Sequence, residues 1–279
     1  MHLVRAAGGS EFGHHGELFE DFDSTAWDAL AIELTMLRDA PRQTVPLLTW
    51  EGVHFLSETQ LQEVRDRLNR LGYTPQIQYV LREQVELETS GALQRIKTGD
   101  FSLSLRRIDD QLQGRAFDWV QRDAQHKVEG LRRVFGSDHI TLLTYHREET
   151  VADLFALLGI DDLSDFKVGR FNNASLTLEA ALALEQMGPA LDSPRFVVAA
   201  KALLESVDRL GGERRVFSQT SVDWIRARYR DSNRAIARDW FGRDDLFPIR
   251  DMALCAGPDE ALVDEYLGCL QRALSDADA

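Results

Sequence analysis

The residues best suited to chemistry lie in Gln78-Tyr79-Val80-Leu81-Arg82 and the apolar–polar stretch behind it, which carries Ser90 eight residues after the arginine. An apolar strand ending in arginine, followed by a helix with serine two turns in, can bring a guanidinium and a hydroxyl to one anion. The guanidinium offers a planar fork of donors that matches phosphate oxygens, and the hydroxyl adds one more at short range. Arg82 also falls at the carboxyl end of its strand, where open α/β sheets collect ligands. The competing reading pairs Arg82 with Glu83 or Glu86 and leaves Ser90 as an ordinary helix residue.

Other candidates surround this pair. Glu51 follows the apolar run Leu47-Leu48-Thr49-Trp50 and so belongs at the same sheet edge as Arg82. A carboxylate beside tryptophan can be raised in pKa by desolvation, which suits a general base for an alcohol or amine nucleophile. The alternative is a solvent-facing glutamate in a strand-to-helix loop. His54, near Phe55, is the competing base. His14 and His15, adjacent in a glycine-flanked loop, can contact an anionic substrate, although no Asp, Glu or Cys stands at clear metal-ligand spacing from them. Arg170, in the basic, amide-rich loop Lys167-Val168-Gly169-Arg170-Phe171-Asn172-Asn173, can close over an anion. Lys97-Thr98-Gly99 imitates part of a phosphate loop but falls at the C-terminal end of a helix, where the dipole repels anions and glycine caps. Lys97 can still reach a substrate group. His146 follows the third strand at the sheet's carboxyl edge, where a structural role is the economical reading.

The elements that must hold these residues follow from periodicity and punctuation. Residues 1–23 read as loop, broken by Gly8, Gly9, Gly13 and Gly16. Ser24 starts a helix over about 25–38, with Trp27, Leu30, Leu34 and Leu37 on one stripe. Residues 44–49 form a short apolar strand, weakened by Pro46. Ser57 with Gln60 makes a capping box for a helix that Gly72 closes. A strand over 76–81 leads into a helix over 82–97; a helix spans about 118–135, a third strand 140–145, and a short helix 150–158. Three strand–helix alternations imply a parallel sheet with helices on both faces. Beyond about 177 the pattern is helical only, over about 178–187, 194–210, 218–241 and 258–274. In the third of these, Trp224, Ile225, Tyr229, Asn233, Ile236, Ala237 and Trp240 form a core stripe. The expectation is one α/β domain over 1–279: a loop-rich start (1–23), an α/β part (24–176) and a helical C-terminal half (177–279).

Composition bounds the function classes. The chain has 279 residues, 44% of them hydrophobic and 28% charged, and a net charge of −14. That balance argues against broad nucleic-acid binding, which favours basic surfaces, but not against an anionic ligand in a locally basic pocket. No apolar run is long enough for a transmembrane helix, and the N-terminus lacks the apolar core of a secretory signal, so a cytoplasmic location is expected. Cys255 and Cys269 alone make no disulfide framework and, without a CxxC, no zinc site; no metal is expected.

Taken together, the segments resemble the bacterial sulfotransferase-like family of P-loop-fold proteins. The resemblance rests on Leu47-Leu48-Thr49-Trp50-Glu51, Val80-Leu81-Arg82-Glu83 with Ser90, Gln94-x-Ile96-Lys97-x-Gly99, Thr144-Tyr145-x-Arg147-Glu148, Phe155-Ala156-Leu157-Leu158-Gly159-Ile160, Asn173-x-Ser175-Leu176 and Tyr229-x-x-Ser232-Asn233 with Trp240-Phe241-Gly242. It implies a three-layer P-loop-type sheet and metal-free transfer of a sulfuryl group from the cosubstrate 3′-phosphoadenosine 5′-phosphosulfate (PAPS) to a hydroxyl or amine. Arg82 and Ser90 would take the 3′-phosphate and Glu51 would be the base. The acceptor would be a small molecule or carbohydrate.

The chain departs from the family in three places. Gln84 replaces a proline that many members carry, and His146 stands where a glutamate is common. The family's phosphate loop, a K-T-G-[ST]-[ST]-like run after the first strand, should precede His14-His15, yet the 13 residues before them contain no lysine. A strand, loop and helix of a βαβ unit need roughly 30 residues. The expectation is therefore a sulfotransferase-like chain that begins downstream of that loop; the alternative is a non-catalytic relative serving as a nucleotide-binding or protein-interaction module. Loss of a central first strand would expose apolar edges, so a homodimer is among the expected states.

Overall fold

A computed structural model describes residues 25–39, 46, 48, 56–114, 123–146, 150–157, 159–160, 175–247 and 257–277. In chain order its elements are α1 (Thr25–Arg38), α2 (Glu58–Arg70), β1 (Ile77–Leu81), α3 (Gln84–Lys97), α4 (Ile108–Gly114), α5 (Ala124–Phe135), β2 (Ile140–Thr144), α6 (Thr150–Ala156), α7 (Leu178–Met187), α8 (Ser193–Leu210), α9 (Gln219–Phe241) and α10 (Glu260–Ala277). The chain is mixed α/β and mostly helical, and among the described residues the sheet is one parallel pair, β1 and β2. The expected strand over 44–49 falls outside the described residues except for Pro46 and Leu48, as do Ser24 and the loop-rich start.

The chain divides into two compact units, Met1–Val80 with Val120–Leu143, and Leu81–Trp119 with Thr144–Ala279. In the first, α1 buries Trp27, Leu30 and Leu34, the spacing of one helical face, while Ile32 and Met36 stay exposed. The Tyr73 hydroxyl donates to the Leu34 carbonyl at 2.7 Å. The expected capping box is present: the Ser57 hydroxyl accepts from the Gln60 N–H, and the Gln60 side chain accepts from the Ser57 N–H. Arg65 Nη1 donates at 2.8 Å to the Val134 carbonyl in the last turn of α5, where carbonyls lack helical partners. The helix expected over 118–135 begins at Ala124. Asp123, in extended conformation, accepts from the N–H groups of Gln125 and His126 and sets that start. Residues 115–122 lie outside the described part.

The second unit is built around α7. Leu178 through Leu184 are all buried, so this helix is covered on every side, and α3, α8 and α10 pack on it. Its one buried charge is accounted for: Glu179 Oε2 accepts from the Glu213 N–H at 2.9 Å and Oε1 from the Asp259 N–H at 3.4 Å. The amides that cradle this carboxylate belong to the segments leading into α9 and α10. The turn after α3 is pinned by Phe101, which lies edge-on to Phe196 at 5.9 Å and fills the notch left by Gly188. A 3-10 turn at Leu105–Arg107 and α4, absent from the sequence expectation, follow it.

Candidate functional site

The second unit brings the Arg82 neighbourhood together at the first turn of α3. Strand β1 ends at Leu81, and the Tyr145 N–H donates to the Leu81 carbonyl at 2.7 Å, so the residues after β1 and β2 emerge side by side. Glu83 is the N-cap of α3: with φ −58° and ψ 134° it turns the chain, and Oε2 accepts from the Glu86 N–H at 3.2 Å. A carboxylate at that end also complements the helix dipole.

Arg82 lies directly before this cap. Its Nε donates to Glu86 Oε2 at 3.4 Å, and its guanidinium carbon stands 4.9 Å from the centre of the Tyr145 ring. The competing sequence reading, an Arg82–Glu86 pair, is thus realised. It occupies one edge of the guanidinium only. Among the described residues the two terminal amino groups of Arg82 have no hydrogen-bond partner, and the side chain is one-third exposed, at 34%.

Glu86 and Ser90 are one helical turn apart on the same face of α3, about 6 Å along its axis. Ser90 is half-buried. Lys97 continues that face, but another seven residues put it about 10 Å beyond Ser90. It sits in the last turn of α3, which Thr98 and Gly99 (φ 85°) close, so the Lys97-Thr98-Gly99 segment is a helix terminus and not an anion cradle. Lys97 does not join the Arg82 cluster.

Helix α9 contributes what sequence reasoning missed. Arg226 Nε donates to Glu83 Oε1 at 3.2 Å, so the two oxygens of Glu83 serve the helix cap and a second arginine. One residue along, Gln84 and Asn233 form a reciprocal amide pair, each donating to the other at 3.0 Å. Gln84 is 4% exposed. The signal for Asn233 was its place on the inward stripe of α9; no local pattern marks Arg226. Tyr145 was foreseeable as an aromatic at the carboxyl end of the strand beside Arg82.

His146, also at this edge, has its ring Nε2 3.0 Å from Thr144 Oγ1, and its backbone N–H donates to Thr150 Oγ1 at 2.7 Å. These contacts tie β2 to the start of α6, a structural role. His14, His15, Glu51, His54 and Arg170 lie outside the described residues. Among the described residues no group of three or more His, Cys, Asp or Glu side chains is placed to hold a metal, and no helix is long and apolar enough to cross a membrane.

The arrangement can grip one small anion. Among the described residues Arg82 has an unengaged fork of amino groups, and Ser90 offers a hydroxyl on the helix that follows. Comparison with protein-family models, with curated proteins and with solved structures found no match to the chain.

Proposed function

We propose that the turn from β1 into α3 binds the terminal phosphate of a nucleotide, and that the chain is sulfotransferase-like, with PAPS as its cosubstrate and the hydroxyl or amine of a small molecule or carbohydrate as acceptor. One observation carries this reading: Arg82 stands at the carboxyl end of a parallel strand, held at Nε and on its ring-stacked face, with its remaining donors unengaged among the described residues. Ser90, on the following helix, supplies the hydroxyl that such a phosphate contact uses. In this reading β1 and β2 belong to a three-layer P-loop-type sheet, Glu51 is the acceptor's base, and the protein works in the cytoplasm without a metal.

Sulfuryl transfer, like phosphoryl transfer, depends on in-line positioning and on cations or amides at the leaving phosphate. Arg82 and Ser90 would anchor the nucleotide away from the reacting bond, and the energy of that grip would position the sulfuryl group. The test is calorimetric titration with adenosine 3′,5′-bisphosphate. Micromolar binding that Arg82→Ala weakens by about tenfold or more supports the site, since a hydrogen bond to a charged group is worth about 1.5–3 kcal/mol. Absence of binding by the folded protein overturns it. Sulfuryl transfer from PAPS to hydroxyl and amine acceptors then separates an enzyme from a nucleotide-binding module that does not catalyse.

A further inference from the structure

We infer that Arg226 is a second anion-binding arm of the same site, an inference that rests on the nucleotide reading of Arg82. Both arginines approach the first turn of α3, and both are held there in the same way. Arg82 gives its Nε to Glu86, and Arg226 gives its Nε to Glu83. Glu83 is the N-cap and Glu86 lies in the first turn, and the Glu86 N–H donates to Glu83 Oε2 at 3.2 Å, so the two carboxylates share one helix end.

Each carboxylate takes one edge of its arginine. A guanidinium has five N–H donors, and those used here are the Nε groups, so the end-on fork of two amino groups is left on both side chains. Among the described residues neither fork has a hydrogen-bond partner. Arg226 is 28% exposed and Glu83 17%, so the pair is semi-enclosed. Arg82 is further fixed by the Tyr145 ring, and α9, which carries Arg226, is locked to α3 by the Gln84–Asn233 amides at 3.0 Å. The two guanidiniums are therefore preorganised, which lowers the entropy cost of closing on a ligand. Two forks beside one helix N-terminus suit a phosphomonoester, whose three terminal oxygens can accept from both.

The charges also explain why two arginines are needed. Glu83 and Glu86 neutralise one guanidinium each, so Arg82 alone would present its fork beside carboxylates that repel the ligand. Arg226 brings the four side chains from a net charge of −1 to neutrality and adds a second fork of donors for the phosphate oxygens.

Adenosine 3′,5′-bisphosphate titration of Arg226→Ala, Glu83→Gln and Arg82→Ala tests the inference, with thermal melts confirming that each variant is folded. Arg226→Ala should weaken binding about tenfold. Glu83→Gln keeps an N-cap acceptor and both forks but removes a carboxylate from beside the ligand, so any loss of preorganisation is offset and its affinity should fall less than that of Arg226→Ala. A merely structural Arg226–Glu83 bridge predicts otherwise: the two variants would then fall together in affinity and in melting temperature. If Arg82→Ala abolishes binding while Arg226→Ala leaves it unchanged, Arg226 is not a ligand arm and the Arg82 reading stands. If the unmodified protein does not bind, both fall.

Discussion

The amide pair between Gln84 and Asn233 gives a prediction whose sign and asymmetry both follow from burial. The two side chains exchange hydrogen bonds at 3.0 Å across 149 residues of sequence. Gln84 is 4% exposed, whereas Asn233 is only half-buried. Asn233→Ala strands the Gln84 oxygen and nitrogen where water cannot replace the lost partner. At about 1–3 kcal/mol for each buried unsatisfied group, less what relaxation recovers, the expected loss is about 2–4 kcal/mol. Gln84→Ala strands only Asn233, which can turn towards water, so its cost should be about 1–2 kcal/mol, most of it lost packing. The double variant should cost no more than Asn233→Ala alone, a coupling of at least about 1 kcal/mol. Removing both amides at conserved volume, as Gln84→Met with Asn233→Leu, should be close to neutral. Urea unfolding followed by far-ultraviolet circular dichroism measures all four. Equal or reversed costs for the single variants, or strict additivity, would refute the claim that this pair is a water-excluded clasp.

Two further predictions concern the scaffold of the second unit. A Cβ added at Gly188 would collide with Phe101 Cζ, so Gly188→Ala should cost about 1–3 kcal/mol in urea unfolding, and Phe101→Ala should cancel the collision while leaving its own cavity cost; no effect of Gly188→Ala would show that the ring does not fill the notch. Burial acts to raise the Glu213 carboxyl, but the Arg215 side chain and the Arg214 and Arg215 N–H groups outweigh it and hold the carboxyl below its usual value. A carboxyl lowered on folding contributes stability that is complete above the usual carboxylate range and is lost as pH falls through the lowered value. Acid unfolding should therefore be shallower in Glu213→Gln, and an identical acid limb for variant and unmodified protein would contradict that coupling.

The parts of this architecture that were legible in the sequence are those whose signals are local. Ser57 with Gln60 as a capping box and Gly99 at the end of α3 each act within one turn of the chain, and each has the expected role. The start of α5 was missed because helical periodicity continues upstream of it, whereas Asp123 engages the N–H groups of Gln125 and His126 and ends the pattern there. Glu83 as a cap was missed for a related reason. Serine, threonine, aspartate and asparagine lead at that position, and glutamate reaches it only with a longer side chain that here must also satisfy Arg226.

What sequence could not supply is the meeting of α3 with α9. Asn233 was placed on the inward stripe of its helix, but the stripe says only that it faces inward, not that a glutamine 149 residues away will be there. Gln84 makes the point most clearly. The sulfotransferase-like pattern proposed for this chain carries proline at that position in many members, and the local backbone would accept it. Gln84 is the first residue of α3, and Glu83 before it already has φ −58° and ψ 134°, the extended region that a following proline demands. Local geometry therefore does not require glutamine here. What glutamine adds is an amide that clasps α9, and α9 carries the arginine that reaches Glu83. A departure that looks minor at the level of one helix start thus becomes, across the α3–α9 contact, the residue that ties the second guanidinium's helix to the candidate site.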